Sequence, residues 1–187
     1  MSKKAQGKLV IFSGPSGSGK DTVLDKVLAR EPSLRRSVSF TTRAPRADEI
    51  NGVHYHFLTQ DEFRRKLSCG LVLEYAEYGG HFYGTPKEPV DEMLAQGETV
   101  ILKIEVQGAA RVREIYPDAL TIFLLPPSLE VLEARLRARE TDGEEDVKTR
   151  LAIAREEIRR KDEYRRHVIN GDLDAAVDEV LAILGGK

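Results

Sequence analysis

The residues Gly14-Pro15-Ser16-Gly17-Ser18-Gly19-Lys20-Asp21-Thr22 have the types and spacing of a loop that cradles phosphate. Glycines let successive backbone N–H groups converge on phosphate oxygens. A helix starting here adds the positive end of its dipole, and Lys20 adds a point charge. The apolar run Lys8-Leu9-Val10-Ile11-Phe12 precedes the loop, and Thr22 to Arg30 has helical spacing of apolar residues. Strand, glycine-rich loop, lysine and helix in that order imply a nucleoside triphosphate site. One position departs from the usual pattern: Asp21 follows the lysine where a hydroxyl is expected, and Thr22 comes one later. A carboxylate is a hard oxygen ligand for Mg²⁺, so Asp21 can ligate the metal, hold it through water, or pair with Lys20.

A second set of polar residues lies further on. Ser37-Val38-Ser39-Phe40-Thr41-Thr42-Arg43-Ala44-Pro45-Arg46 places two arginines beside several hydroxyls. Arginine forks bind phosphate bidentately. Tyr55, Glu74 and Tyr83 follow. Tyrosine can donate to phosphate, and a carboxylate can accept from a base edge that presents two N–H donors. Singly, each is ordinary surface; together, beside a phosphate loop, they imply a second phosphorylated ligand.

The elements that must position these groups follow from apolar periodicity. Leu9–Phe12, Thr99–Ile104, Leu120–Leu125 and His167–Ile169 read as strands. Helical patterns occupy Pro89–Ala95, Gly108–Ile115, Leu129–Leu136 and Asp174–Leu184. The alternation predicts an α/β fold with a mostly parallel sheet covered on both faces. Residues 37–86 break the rhythm and read as an inserted β-rich subdomain, with alternating segments at Val53–Phe57 and Val72–Glu77. Thr59 with Glu62 predicts a capping box, and Thr85-Pro86 with Glu88 predicts another with proline at the first helical position. Residues 128–157 are dense in arginine and glutamate and read as a mobile helical flap, too charged to form core.

The chain has 187 residues, 41% hydrophobic and 32% charged, as suits one globular domain with insertions. A net charge of −2 gives no global attraction to nucleic acid or anionic membrane, so neither is expected as a partner. The single cysteine, Cys69, leaves no internal disulfide, and the four histidines lack metal-ligand spacing. The short polar start, Met1 to Lys8, does not read as a signal sequence, and no apolar run is long enough to span a membrane. Cytoplasmic localisation is the expectation.

Ser39 through Arg46, Gly52-Val53-His54-Tyr55-His56-Phe57, Leu73-Glu74-Tyr75-Ala76-Glu77, Tyr83-Gly84-Thr85-Pro86, Glu105-Val106-Gln107-Gly108 and Pro126-Pro127-Ser128 together resemble guanylate kinases, in the family's order over nearly the whole chain. The resemblance implies a P-loop core (1–38, 87–127 and 158–187), a GMP-binding subdomain (39–86) and a lid (128–157). It implies transfer of the ATP γ-phosphoryl group to GMP with Mg²⁺ as cofactor. Gly14 through Thr22 and Asn170 would bind ATP, with Asn170 near the adenine. Ser39, Glu74, Thr85 and Glu105 would face guanine, and Arg43, Arg46, Tyr55 and Tyr83 would hold the GMP phosphate. Lys20, Arg43, Arg135, Arg139 and Arg150 would be the charge-neutralising catalytic set, and Asp21 the candidate metal ligand.

The chain departs from the family at Asp21, at Lys103 where aspartate is usual, and at Glu105 where a shorter carboxylate is usual. Lys103 could compensate Asp21 by pairing with it, or the two could have drifted independently. Two other readings are a non-catalytic interaction domain of the same fold and a sugar-phosphate kinase. The intact loop, Ser39, Glu74 and the Arg43/Arg46 pair favour a guanine nucleotide enzyme.

Overall fold

The computed structural model describes residues 7–138 and 144–186. Along the chain run β1 (Lys8–Ser13), α1 (Lys20–Arg30), β2 (Leu34–Arg36), β3 (Phe40–Thr41), β4 (His56–Phe57), α2 (Gln60–Ser68), β5 (Val72–Tyr78) and β6 (His81–Pro86). Then follow α3 (Lys87–Ala95), β7 (Thr99–Lys103), α4 (Val106–Ile115), β8 (Leu120–Leu125), α5 (Leu129–Arg137), α6 (Glu144–Arg159), β9 (Arg166–Ile169) and α7 (Leu173–Gly185). A five-stranded sheet has the order β2-β7-β1-β8-β9, and its β2–β7 and β8–β9 pairs run parallel. This is the α/β fold that the alternation of apolar runs predicts. No described helix is long and apolar enough to cross a membrane. The chain divides into two compact units, 1–11 with 33–120 and 12–32 with 121–187.

In the first unit, β3, β4, β5 and β6 form a second sheet in the order β4-β3-β6-β5, mostly antiparallel. The predicted capping box is present: the Thr59 hydroxyl accepts from Glu62 N–H, and the Glu62 carboxylate accepts from Thr59 N–H at 2.7 Å. That cap fixes α2 so that Phe63 is buried, its ring stacked on Phe82 at 5.2 Å between centroids.

Two expectations for this unit are corrected, and one strand was not foreseen. Thr85 caps no helix; its hydroxyl donates to Glu74 Oε1 at 2.6 Å, and Pro86 stands at the cap position rather than inside α3. Val53–Phe57 is not one strand, because Gly52 N–H donates to Tyr55 carbonyl, Tyr55 bridges back to Asn51, and only His56 and Phe57 belong to a strand. β2 carries no apolar run, only Leu34 followed by two arginines, so periodicity did not reveal it.

In the second unit, α1 and α7 pack through Val23, Leu24 and Val27 on one side and Ala176, Val177 and Val180 on the other, all buried. Lys26–Asp174 and Arg30–Asp178 pair at 2.7 and 2.6 Å, one helical turn apart on both helices, which sets a parallel register. Exposed pairs of this kind add little stability. α5 and α6 correct the expectation of a coreless segment. Leu132, Leu136, Val147, Leu151 and Ala154 form a buried cluster, with the charged residues on the outward faces. Apolar spacing of three to four residues suffices for a one-sided core even in a charged helix pair.

Candidate active site

The phosphate loop lies wholly in the second unit, between β1 and α1. Lys20 Nζ donates to the carbonyls of Gly14 at 2.6 Å and Pro15 at 3.1 Å, so the lysine folds back over the loop it follows. Ser18 N–H closes the turn on Pro15 carbonyl at 3.1 Å. Gly19 stands before the helix at φ 91, in the left-handed region, and a Cβ there would collide with the Asn170 side-chain amide. Gly14 is equally constrained, since a Cβ would run into Leu124 carbonyl on β8.

Asn170 and Arg135 brace this loop. Asn170 follows β9 and is buried; its Nδ2 donates to Ser18 carbonyl at 2.8 Å. Arg135 on α5 donates to Asn170 carbonyl at 2.9 Å and to Ser18 carbonyl at 3.4 Å. Both residues therefore converge on the loop by way of Ser18. Ser16 is half-buried, while Asp21 and Thr22 are exposed on the first turn of α1, and Arg150 is half-buried on α6. Arg139 lies outside the described residues.

The second constellation lies wholly in the first unit. A small cavity is lined by Ser39, Tyr55, Glu74, Tyr83, Lys103 and Glu105. Glu74 is 4% exposed and its partner Thr85 is fully buried. Burial pushes the Glu74 carboxyl up to about 7, against the Thr85 hydrogen bond; the charge of Glu105 adds to the rise and Arg111 opposes it. Glu105 caps α4 without a side-chain capping bond, and its Oε2 is buried with no hydrogen-bond partner among the described residues. Glu105 Oε2 is thus an acceptor short of a donor beside the Thr85-bonded Glu74 carboxyl, which is costly unless a ligand supplies an N–H group.

Arg43 and Arg46 flank the same region. The Arg43 guanidinium pairs with Glu49 at 2.7 Å, donates to Ala44 carbonyl and lies 5.7 Å from the Tyr55 ring centroid. Glu49 also accepts from Arg46 N–H at 2.8 Å, while Arg46 itself is exposed. Burial alone would raise the Glu49 carboxyl, but the hydrogen bonds from Arg43 and Arg46 outweigh it and hold it below the usual carboxylate range. Tyr55 and Tyr83 meet edge to face at 6.1 Å.

Sequence reasoning missed two residues here. Glu49 carries a signal only in its spacing, three residues after Arg46. Gly108, in the first turn of α4, is where any Cβ would collide with the Glu74 carboxylate.

The guanylate kinase family model matches residues 6–186. A guanylate kinase of Synechocystis sp. is 46% identical over 180 residues, covering 96% of this chain and 94% of the relative. One from Gloeobacter violaceus is 50% identical over 177 residues, covering 95% and 86%. A crystal structure of guanylate kinase from Anaplasma phagocytophilum superposes with a TM-score of 0.83 at 33% identity, covering 98% of this chain and 87% of that one. A match of this extent, over a chain that also carries a braced phosphate loop, means that the chain belongs to the guanylate kinase family.

Proposed function

We propose that this protein transfers the γ-phosphoryl group of ATP to GMP, giving ADP and GDP. The observation that carries this reading is the Glu74–Glu105 pair: a buried carboxyl raised by burial beside a half-buried one whose Oε2 has no hydrogen-bond partner among the described residues. Guanine presents two adjacent N–H donors on its Watson–Crick edge, whereas adenine presents a lone pair at the ring nitrogen. Ser39 and Thr85 complete the purine contacts, and Arg43, Arg46, Tyr55 and Tyr83 hold the monophosphate. The loop from Gly14 to Thr22 holds the triphosphate, with Asn170 toward the adenine. Residues 39–86 act as the GMP-binding part and 128–157 as a lid on a core made of the rest.

The acceptor is a phosphate whose second pKa is about 6, so it is largely dianionic at neutral pH and needs no general base. Catalysis rests on alignment and charge neutralisation by Lys20, Arg43, Arg135, Arg139 and Arg150. Lys20 must exchange the Gly14 and Pro15 carbonyls for phosphate oxygens as the triphosphate enters.

The donor set fits a magnesium ion that arrives with its nucleotide. Asp21 offers an exposed carboxylate at the loop, and no cluster of three or more acidic, histidine or cysteine ligands exists among the described residues. Asp21 would hold the ion directly or through water, and the ion would neutralise phosphate charge.

Steady-state transfer to GMP, AMP, UMP and ribose bisphosphate tests the proposal. A buried donor–acceptor mismatch costs several decades of selectivity, roughly 10⁴-fold, so kcat/KM for GMP should far exceed that for AMP. Comparable values would sink the assignment.

A further inference from the structure

We infer that Lys103 is an additional substrate-binding residue, which contacts the phosphate of the acceptor monophosphate beside Tyr55. The inference rests on the GMP reading above and adds to it a cation from the central sheet. Lys103 ends β7, and Glu105, two residues on, caps α4; both line the same cavity. The β7–α4 junction therefore delivers an ammonium and a carboxylate to one ligand. Lys103 Nζ lies 3.4 Å from the Tyr55 hydroxyl and 5.3 Å from its ring centroid. The Arg43 guanidinium lies 5.7 Å from that same centroid. Two cations thus share one phenol. Attraction to a ring face at an accessible site is weak. A phosphate beside this phenol would meet Lys103 directly and Arg43 by exchange with its counter-ion Glu49.

The chemistry around the cavity is divided in the way the proposed ligand is divided. Glu74 and Glu105 are acceptors, suited to purine N–H groups. Tyr55, Lys103 and neighbouring Arg43 are donors, suited to a dianion. An ammonium carries three donors and no fixed fork, so it can follow a phosphate that moves during transfer, while the planar Arg43 fixes its orientation.

Titration calorimetry of wild type, Lys103→Met and Lys103→Arg with GMP, guanosine and MgATP tests this. A charged hydrogen bond lost from Lys103→Met should weaken GMP binding by about tenfold to a hundredfold. Guanosine, which lacks the phosphate, and MgATP should bind as in wild type, and Lys103→Arg should keep most of the GMP affinity. The unchanged guanosine and MgATP affinities also report that the variant is folded. GMP binding unaltered in Lys103→Met overturns the inference. So does an equal loss for GMP and guanosine, which marks a damaged cavity. A loss confined to MgATP also overturns it, because it assigns the lysine to Asp21 instead. Wild type that does not prefer GMP to AMP overturns the functional reading and this inference with it.

Discussion

The phosphate loop and the carboxylate-lined cavity solve opposite problems. The loop's carbonyls are satisfied from within, although Ser18 Oγ has no partner among the described residues: Lys20 occupies those of Gly14 and Pro15, Asn170 and Arg135 occupy that of Ser18, and glycines stand where a Cβ would collide. The cavity is left wanting: Glu105 Oε2 has no partner among the described residues, and the Glu74 carboxyl is raised by burial. A loop made of backbone can receive any triphosphate. A cavity that presents side-chain carboxylates demands a particular base. Generality in one ligand and selectivity in the other follow from which atoms do the binding.

The largest effect expected is at the loop. Lys20→Ala should lower turnover by about a hundredfold or more, as for other preorganised charges, while the melting temperature stays near that of wild type. Near-normal turnover would mean that the backbone alone suffices and that the lysine is only a brace. Next comes the cavity. Gly108→Ala should push the Glu74 carboxylate aside without unfolding the chain, because the clashing atoms are the end of a flexible side chain. Misplacement on the order of 1 Å costs up to about a hundredfold, so KM for GMP should rise by about tenfold to a hundredfold with KM for ATP unchanged. Shortening the carboxylate in Gly108→Ala/Glu74→Asp should recover part of the loss. A rise in both KM values would show that the two sites are not separable in this way.

A smaller effect concerns protons. The Glu74 carboxyl titrates at about 7 when the cavity is empty, and guanine N–H donors favour the charged form. Binding therefore expels a proton near neutrality. Guanosine affinity should fall by about tenfold between about pH 8 and about pH 6, and Glu74→Gln should flatten the profile. The sign for folding is the reverse of a paired surface carboxylate. A raised folded-state value means that native protein binds more protons than unfolded chain between about 4.5 and about 7, so this group's contribution lowers stability as pH rises through that window. A pH-independent guanosine affinity would break the link between burial and selectivity.

The same contrast explains what could be read from residues alone. The loop is local and consecutive, so Gly14 through Lys20 announced its strand, turn and helix together. The cavity draws on residues from 39 to 105, and its members were found through resemblance rather than periodicity. Patterning located β1, β7, β8, β9 and the helices α1, α3, α4, α5 and α7, but it named neither α6 nor β6, nor β2, whose Leu34-Arg35-Arg36 looks like surface until β7 pairs with it. It placed a cap at Thr85 because a hydroxyl before a proline is a local signal, whereas the hydroxyl's real partner is Glu74, eleven residues back. It missed the Leu132–Val147 cluster because charge density masked the spacing beneath it. Gly108 was visible as a motif letter, but its steric reason exists only when α4 meets β5.

Glu49 has a consequence for ionic strength. It gives Arg43 a counter-ion that belongs to the chain and cannot diffuse away. When a monophosphate arrives, one tethered anion yields to another, and few dissolved ions need leave. We therefore expect GMP affinity to depend on salt less steeply than a site with this many cations ordinarily would. Glu49→Gln should steepen that dependence, because dissolved chloride then takes over the work of a covalent neighbour. An identical salt slope in the two proteins would show that Arg43 keeps Glu49 throughout the catalytic cycle.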